Sequence, residues 1–292
     1  MTGKIIKGIA GFYYVHDGVS RVYECRAKGI FRNRRIRPLT GDNVEFEILD
    51  ASEQTGNITE ILPRSNELVR PAVANIDQAM IVFAAAEPDP NLNLLDRFLV
   101  SMECRNVPVL ICFNKKDLAD EEKIRKLMEI YEGAGYPVRL TSAAGGEGLE
   151  ELRSLLRGKT TAFAGPSGVG KSSLTNLIHP EAAMETGAVS EKIKRGRHTT
   201  RHSELFFVEK DTYVMDTPGF SSIYVEDLLP EQLASCFPEF EAFVPDCRFL
   251  GCVHMGERDC GVKKAVQEMK IPASRYENYR LIYEELKSKR RY

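Results

Sequence analysis

Residues 165–172 read Gly165-Pro166-Ser167-Gly168-Val169-Gly170-Lys171-Ser172, with Ser173 next. This is a glycine-rich phosphate-binding loop, a pattern that works only between a strand that delivers the chain and a helix that carries it away. Both flanks comply: the apolar residues Thr161–Ala164 precede it, and the amphipathic stretch Lys171–Ile178 follows. In that setting the glycines let backbone N–H groups turn inward around a β-phosphate. Lys171 adds a point charge between the β- and γ-phosphates, and Ser172 offers an oxygen to Mg²⁺. Such a loop does not by itself distinguish ATP from GTP.

Working outward, the apolar run Val109–Phe113 ends in Asn114-Lys115-Lys116-Asp117. A carboxylate in the base plane accepts from both the ring N1–H and the 2-amino group of guanine, whereas adenine offers neither donor there. Asp117 is therefore the expected guanine reader, with Asn114 bracing the loops and the Lys115 stem lying over the ring. Thr141-Ser142-Ala143, after Val138–Leu140, is the expected companion loop, whose backbone N–H meets the guanine O6. Downstream, Asp216-Thr217-Pro218-Gly219 follows Val214-Met215. Asp216 is placed to hold Mg²⁺ through water, and the Gly219 N–H to sense the γ-phosphate.

These motifs sit on a repeating pattern. Ala79–Ala85, Val107–Phe113, Val138–Leu140, Thr161–Ala164 and Tyr213–Met215 read as buried parallel strands, and Leu92–Met102, Asp120–Tyr131 and Lys171–Ile178 as intervening helices. The expectation is an α/β doubly wound sheet over residues 69–222. Residues 1–68 read differently. Val44, Phe46 and Ile48 alternate with Glu45 and Glu47, and Tyr23 and Cys25 with Glu24 and Arg26, so a small all-β barrel of about five strands is expected. Residues 223–292 read as a mainly helical tail, with Tyr276, Tyr279, Tyr283 and Leu286 forming one helical stripe.

The chain has 292 residues, with 40 Lys+Arg against 42 Asp+Glu and a formal charge of -2. No global basic excess marks a nucleic-acid binder. The basic residues are instead local, at Arg21–Arg37, Lys192–Arg201 and Lys287–Arg291. Phe12, Tyr13, Tyr14, Tyr23 and Phe31 interleave with the first cluster, and either stack on bases or fill the barrel core. The longest apolar run, Ala79–Ala86, is far below the roughly 20 residues that span a bilayer. No export signal is recognisable, and a cytoplasmic protein with no membrane partner is expected.

Seven cysteines, an odd number, favour a reducing compartment. Cys247, Cys252, His254 and Cys260 fall within one short stretch. Three thiolates and one imidazole make a closed, structural Zn²⁺ site; buried free thiols are the other reading.

The order of the motifs is unusual. In ordinary GTPases the phosphate loop comes first, but here Asn114–Asp117 and Ser142-Ala143 precede Gly165–Ser172, and Asp216–Gly219 comes last. The chain resembles a circularly permuted GTPase, specifically the RsgA (YjeQ) family of small-ribosomal-subunit-dependent GTPases, over its whole length. That resemblance implies an N-terminal OB-fold, GTP hydrolysis stimulated by the small ribosomal subunit, and action late in that subunit's maturation through rRNA binding. Other assembly factors are further candidate partners, and nothing demands a dimer. It also implies that Cys247, Cys252, His254 and Cys260 hold zinc.

Phe220 follows Gly219, so the water-orienting polar group must come from elsewhere. Gly196-Arg197-His198-Thr199-Thr200 resembles the family's first switch, which implies that His198 orients the water and that Thr199 or Thr200 meets Mg²⁺. An rRNA contact is the alternative role for His198. At the level of function two alternatives stay open: a permuted GTPase activated by another RNA or partner, and a GTP-gated RNA-binding switch whose hydrolysis only resets it.

Overall fold

The computed structural model describes residues 1–28, 31, 36–69, 71–179, 203–216 and 228–289. The chain divides into two compact units, one of residues 1–80 with 149–221 and the other of residues 81–148 with 222–292. Neither is contiguous in sequence, because the chain leaves the first unit and returns to it.

The first unit begins with the expected barrel: β1 (Thr2–Ile9), β2 (Phe12–His16), β3 (Val22–Ala27), β4 (Asn43–Asp50) and β5 (Thr55–Ile61). β1 pairs with β2, β2 with β3, β3 in parallel with β5, β5 with β4, and β4 back with β1, so the sheet closes on itself. Closure leaves no strand edge exposed. The period-two pattern decides which side chains go in: Val44 and Phe46 are buried while Glu45 and Glu47 face solvent. With Ile5, Val15, Tyr23, Cys25, Phe31 and Ile58 they make one apolar cluster. Gly56 sits where a Cβ would meet the Glu47 carbonyl oxygen at 2.7 Å, so this close strand crossing requires glycine. The aromatic residues differ in burial, and Tyr13 packs against the same core cluster. Tyr23 and Phe31 are core, whereas Phe12, Tyr13 and Tyr14 are only half-buried, with the Arg26 guanidinium 4.8 Å from the Phe12 ring centre.

A short hairpin, β6 (Glu67–Val69) and β7 (Ala72–Ala74), follows the barrel. Here buried Asp42 accepts two hydrogen bonds from Arg64, at 2.7 and 2.8 Å, and another from the Leu39 N–H.

The chain then runs through β8 (Gln78–Ala84) and, in the second unit, α1 (Leu92–Glu103), β9 (Val109–Asn114), α2 (Glu121–Glu132) and β10 (Val138–Leu140). β8 and β9 are buried at every position, as near-continuous apolar runs in a parallel sheet should be. β9 lies between β8 and β10 and pairs in parallel with β10, Phe113 opposite Leu140. Side-chain caps start both helices: Asn91 accepts from the Leu94 N–H and Asp120 from the Lys123 N–H.

Back in the first unit come α3 (Leu149–Leu156), β11 (Thr160–Ala164), α4 (Lys171–Ile178), β12 (Glu204–Glu209) and β13 (Thr212–Asp216). β11 and β13 pair in parallel, and β12 adds antiparallel to β13. β12 also pairs with β1 at Lys7 and Glu204, which joins the phosphate-loop strands to the barrel in one sheet.

The second unit ends in two 3₁₀ segments, Pro230–Cys236 and Pro238–Asp246, then α5 (Gly261–Gln267) and α6 (Ala273–Lys289). Tyr279, Tyr283 and Leu286 of the expected stripe are buried, and Tyr276 is partly so. They pack with Leu233, Phe237, Phe240 and Val100 of α1. Beside them lies a buried charge: Arg275, fully buried, donates to Asp96 at 2.6 Å and to Glu239 at 2.6 and 3.1 Å. Asp96 also accepts from Asn278 and Tyr131, so α6 is tied to α1 and α2 through one carboxylate. Among the described residues, no helix is long and apolar enough to cross a membrane.

Candidate functional site

The phosphate loop joins β11, buried throughout, to α4. Its turn is made by glycines in conformations that other residues rarely adopt: Gly165 has φ 139°, Gly168 φ 81° and Gly170 φ 94°. Gly170 caps α4 without a side chain, so the first-turn N–H groups of the helix face the loop. Pro166, Ser167 and Val169 complete the turn, with Val169 buried beneath it. Lys171, the first residue of α4, folds back over the loop and donates to the carbonyls of Gly165 at 2.9 Å and Pro166 at 2.7 Å. Ser172 and Ser173 occupy the next two helical positions. Phe163 of β11 stands opposite Asp216 of β13, so the strand that feeds the loop ends level with the Asp216 backbone.

The two loops of the second unit expected to meet the base are organised differently, around one side chain. Asn114, at the end of β9 and 1 % exposed, accepts through Oδ1 from the Thr141 hydroxyl at 3.1 Å and the Ala143 N–H at 3.0 Å. It thereby braces the two loops that the sequence assigned to the base. Lys115 adopts a left-handed conformation, φ 59°, which turns the chain out of the strand. Its ammonium donates to the Glu87 carbonyl beyond β8. Lys116 pairs with Glu147. Asp117 lies in the 3₁₀ turn Lys116–Leu118, exposed, and no side chain among the described residues engages its carboxylate.

Glu147 was not anticipated. Its backbone exchanges two 3.1 Å hydrogen bonds with buried Ser142, making a small bridge that shapes the companion loop. The signal in the sequence was Gly145-Gly146-Glu147-Gly148: Gly148 has φ 75°, and a Cβ there would meet the Leu140 carbonyl oxygen at 2.4 Å. His198, Thr199, Thr200, Thr217, Gly219 and Phe220 lie outside the described residues, as do Lys192–Arg201 and, in the other basic clusters, Arg32, Arg34, Arg35, Arg290 and Arg291. Of the Asp216 region only the backbone register applies.

The third group is in the tail. One ligand atom from each of Cys247, Cys252, His254 and Cys260 falls within 4.8 Å of all the others. Cys247 Sγ is 3.9 Å from Cys260 Sγ and 3.6 Å from His254 Nδ1, and His254 Nδ1 is 3.3 Å from Cys260 Sγ. Tetrahedral Zn²⁺, with bonds of about 2.3 Å to sulfur and 2.0–2.1 Å to nitrogen, needs donor separations of about 3.5–3.8 Å, so this donor set fits. The loop that presents it is held from outside. Tyr276 and Tyr279 of α6 donate to the carbonyls of His254 and Val253. Glu257 accepts from the Val253 and Met255 N–H groups. At Gly261 a Cβ would meet the Phe243 carbonyl oxygen at 2.2 Å, so only glycine lets α5 start this close.

A glycine-built phosphate loop and an Asn-Lys-x-Asp loop, each at a strand end and in inverted chain order, define a circularly permuted GTPase. Residues 61–226 match the RsgA GTPase model and residues 2–58 the RsgA N-terminal domain; the chain belongs to the RsgA GTPase family. Relatives include a protein of Agathobacter rectalis, 55 % identical over 302 residues and 100 % of both chains, and one of Alkaliphilus metalliredigens, 52 % identical over 99 % of each. Both are called small ribosomal subunit biogenesis GTPase RsgA. Two crystal structures share the fold. That of YloQ, a circularly permuted GTPase, has TM-score 0.82 and 39 % identity over 99 % of this chain and 95 % of its own. That of YjeQ from Thermotoga maritima has TM-score 0.85 and 37 % identity over 98 % of each.

Proposed function

We propose that the protein binds guanine nucleotide, hydrolyses GTP to GDP and phosphate, and does so on the small ribosomal subunit, late in that subunit's maturation and in contact with its rRNA. The observation that carries the nucleotide reading is the Asn114 hub: a buried amide fixes two loops and leaves the Asp117 carboxylate exposed beside them. Asp117 reads N1–H and the 2-amino group of guanine. The Ala143 N–H, which donates to Asn114, has its second acceptor in the guanine O6.

The backbone N–H groups from Ser167 to Ser173 and the Lys171 ammonium hold the phosphates and stabilise the charge that spreads over the transferred phosphoryl group. Ser172, with Thr199 or Thr200, would hold Mg²⁺, with Asp216 behind them through water; bound there, the ion would offset phosphate charge. The level strand ends at Phe163 and Asp216 suit that placement. His198 orients the attacking water, since Phe220 cannot, and the Gly219 N–H senses the γ-phosphate.

Cys247, Cys252, His254 and Cys260 hold one structural Zn²⁺. Functionally the chain parts into an RNA-binding barrel (1–68), the permuted GTPase (69–222) and the zinc-binding tail (223–292), and works as a monomer in the cytoplasm. The name its relatives carry supports the ribosomal assignment. The test is GTP turnover at fixed salt with purified small subunits, large subunits or tRNA. Stimulation by small subunits alone is expected, and equal stimulation by tRNA or large subunits overturns the partner. His198→Ala should lose that stimulated turnover while still binding small subunits; lost binding with unchanged turnover per bound complex assigns His198 to rRNA instead.

A further inference from the structure

The seven cysteines sort into three environments. Four ligand-type residues make the Cys/His group described above, less one histidine: Cys247, Cys252 and Cys260. Cys25 and Cys112 are buried alone, their thiols pushed up to about 11 by desolvation, which leaves them protonated and unreactive. The remaining two, Cys104 and Cys236, are 132 positions apart in sequence with their sulfurs 2.6 Å apart. That spacing is shorter than the 3.9 Å between Cys247 and Cys260, where a metal fits between the sulfurs. It approaches the roughly 2.05 Å of a covalent S–S bond. No third or fourth metal-binding side chain joins Cys104 and Cys236 among the described residues. The pair is therefore arranged for bond formation between the sulfurs, not for a shared ion.

The two thiols differ in the way that sequential oxidation requires. Cys104 is the C-cap of α1 and, unlike Cys236, is an exposed residue. Its thiol is held below the ordinary range by the hydrogen bond with Cys236, with help from the Arg105 charge. Cys236 ends the first 3₁₀ segment and is buried against the tail's apolar core. We propose that Cys104 and Cys236 form a redox-active dithiol, which closes to an intrachain disulfide when a peroxide oxidises Cys104.

The steps balance. The Cys104 thiolate attacks one peroxide oxygen, the O–O bond breaks, and Cys104 becomes a sulfenic acid with hydroxide released as water. Cys236 sulfur then attacks the Cys104 sulfur, the S–OH bond breaks, and the second water leaves with the Cys236 proton. Two electrons pass from the dithiol to one peroxide. The new bond ties the end of α1 to the first 3₁₀ segment of the tail, while Arg275 and Asp96 join α1 to α6.

The experiment uses the purified full-length protein with its metal bound. It is treated with hydrogen peroxide, quenched with N-ethylmaleimide and analysed by mass spectrometry of its peptides. Expected is one crosslinked peptide pair carrying Cys104 and Cys236, two hydrogens lighter, reversed by dithiothreitol and absent in Cys104→Ser. In Cys236→Ala, which keeps an apolar group at the buried position, dimedone should trap Cys104 as its sulfenic acid. The proposal is overturned if both thiols remain alkylated at a peroxide dose that oxidises free dithiothreitol, if Cys104 crosslinks to Cys247, Cys252 or Cys260 instead, or if dimedone leaves Cys104 unlabelled in Cys236→Ala.

Discussion

The barrel at residues 1–68 and the tail at residues 228–289 are of similar size and are stabilised by opposite means. Within the barrel every strand has two hydrogen-bonded neighbours, and the interior is a cluster of eight apolar side chains, with one largely buried ion pair, Asp42–Arg64, beside it. The tail has no strand among its described residues, and two of its four helical segments are 3₁₀. Those turns have poorer hydrogen-bond geometry and cannot propagate. The tail instead holds the Cys/His group and the buried Arg275 cluster. Where the backbone closes its own hydrogen-bond network, apolar packing carries most of the interior; where it does not, more of the work falls to specific polar side chains.

The largest expected effect breaks this comparison at the proposed zinc site. Structural zinc contributes on the order of 10–16 kcal/mol in small metal-dependent folds. Chelation should therefore abolish the tail's helicity and its amide-exchange protection around α5 and α6, while β1–β5 remain protected. Circular dichroism and hydrogen exchange read the two regions separately, and equal loss in both would show that the barrel is not independent of the metal.

Next in size is Arg275→Leu. It leaves Asp96 and Glu239 buried beside each other without their cation, which costs about 3–5 kcal/mol. Adding Asp96→Leu and Glu239→Leu removes the stranded charges and should recover part of that loss, measured by urea unfolding. A triple variant worse than the single would mean that the cluster acts through shape and not charge. The barrel counterpart is Ile58→Val, one methylene removed from a side chain with no exposed surface, at about 1 kcal/mol. It should shift the barrel's exchange rates and leave the tail's unchanged.

The same contrast explains what could be read from the sequence. Alternation at Val44 and Phe46 and the long apolar runs of β8 and β9 were legible because burial on a sheet face leaves a periodic trace. The strands and helices that carry the phosphate loop and Asn114 followed from the same signal, and the loops themselves from glycines and short motifs. Features set by tertiary partners left no such trace. The place of β12 beside β13 and β1 is decided by pairing, which its short apolar run Leu205–Val208 does not announce. Arg275 and Asn278 lie within the stripe helix and look like solvated positions until Asp96, nearly 180 residues earlier, meets them. Glu147 is a different case: its bridge to Ser142 is local and backbone-made, so the glycines around it mark the turn but not the residue.

The smallest expected effect sharpens the comparison within the tail itself. Arg248 pairs with Asp259 at 3.1 Å, but both side chains are about two-thirds exposed, at 68 % and 67 %. An exposed pair gains little because water screens it and two long side chains must be ordered to form it. The Arg248 N–H also donates to the Asp259 carbonyl, and that bond survives any side-chain change. Arg248→Ala should therefore cost under about 1 kcal/mol, far less than Arg275→Leu under the same urea titration. Both residues are arginines in one region, each paired with carboxylate, and they differ in access to water. A cost at Arg248 equal to that at Arg275 would mean that removal of charge from water is not what makes the buried cluster matter, and the account of how the tail compensates for its missing sheet would fail with it.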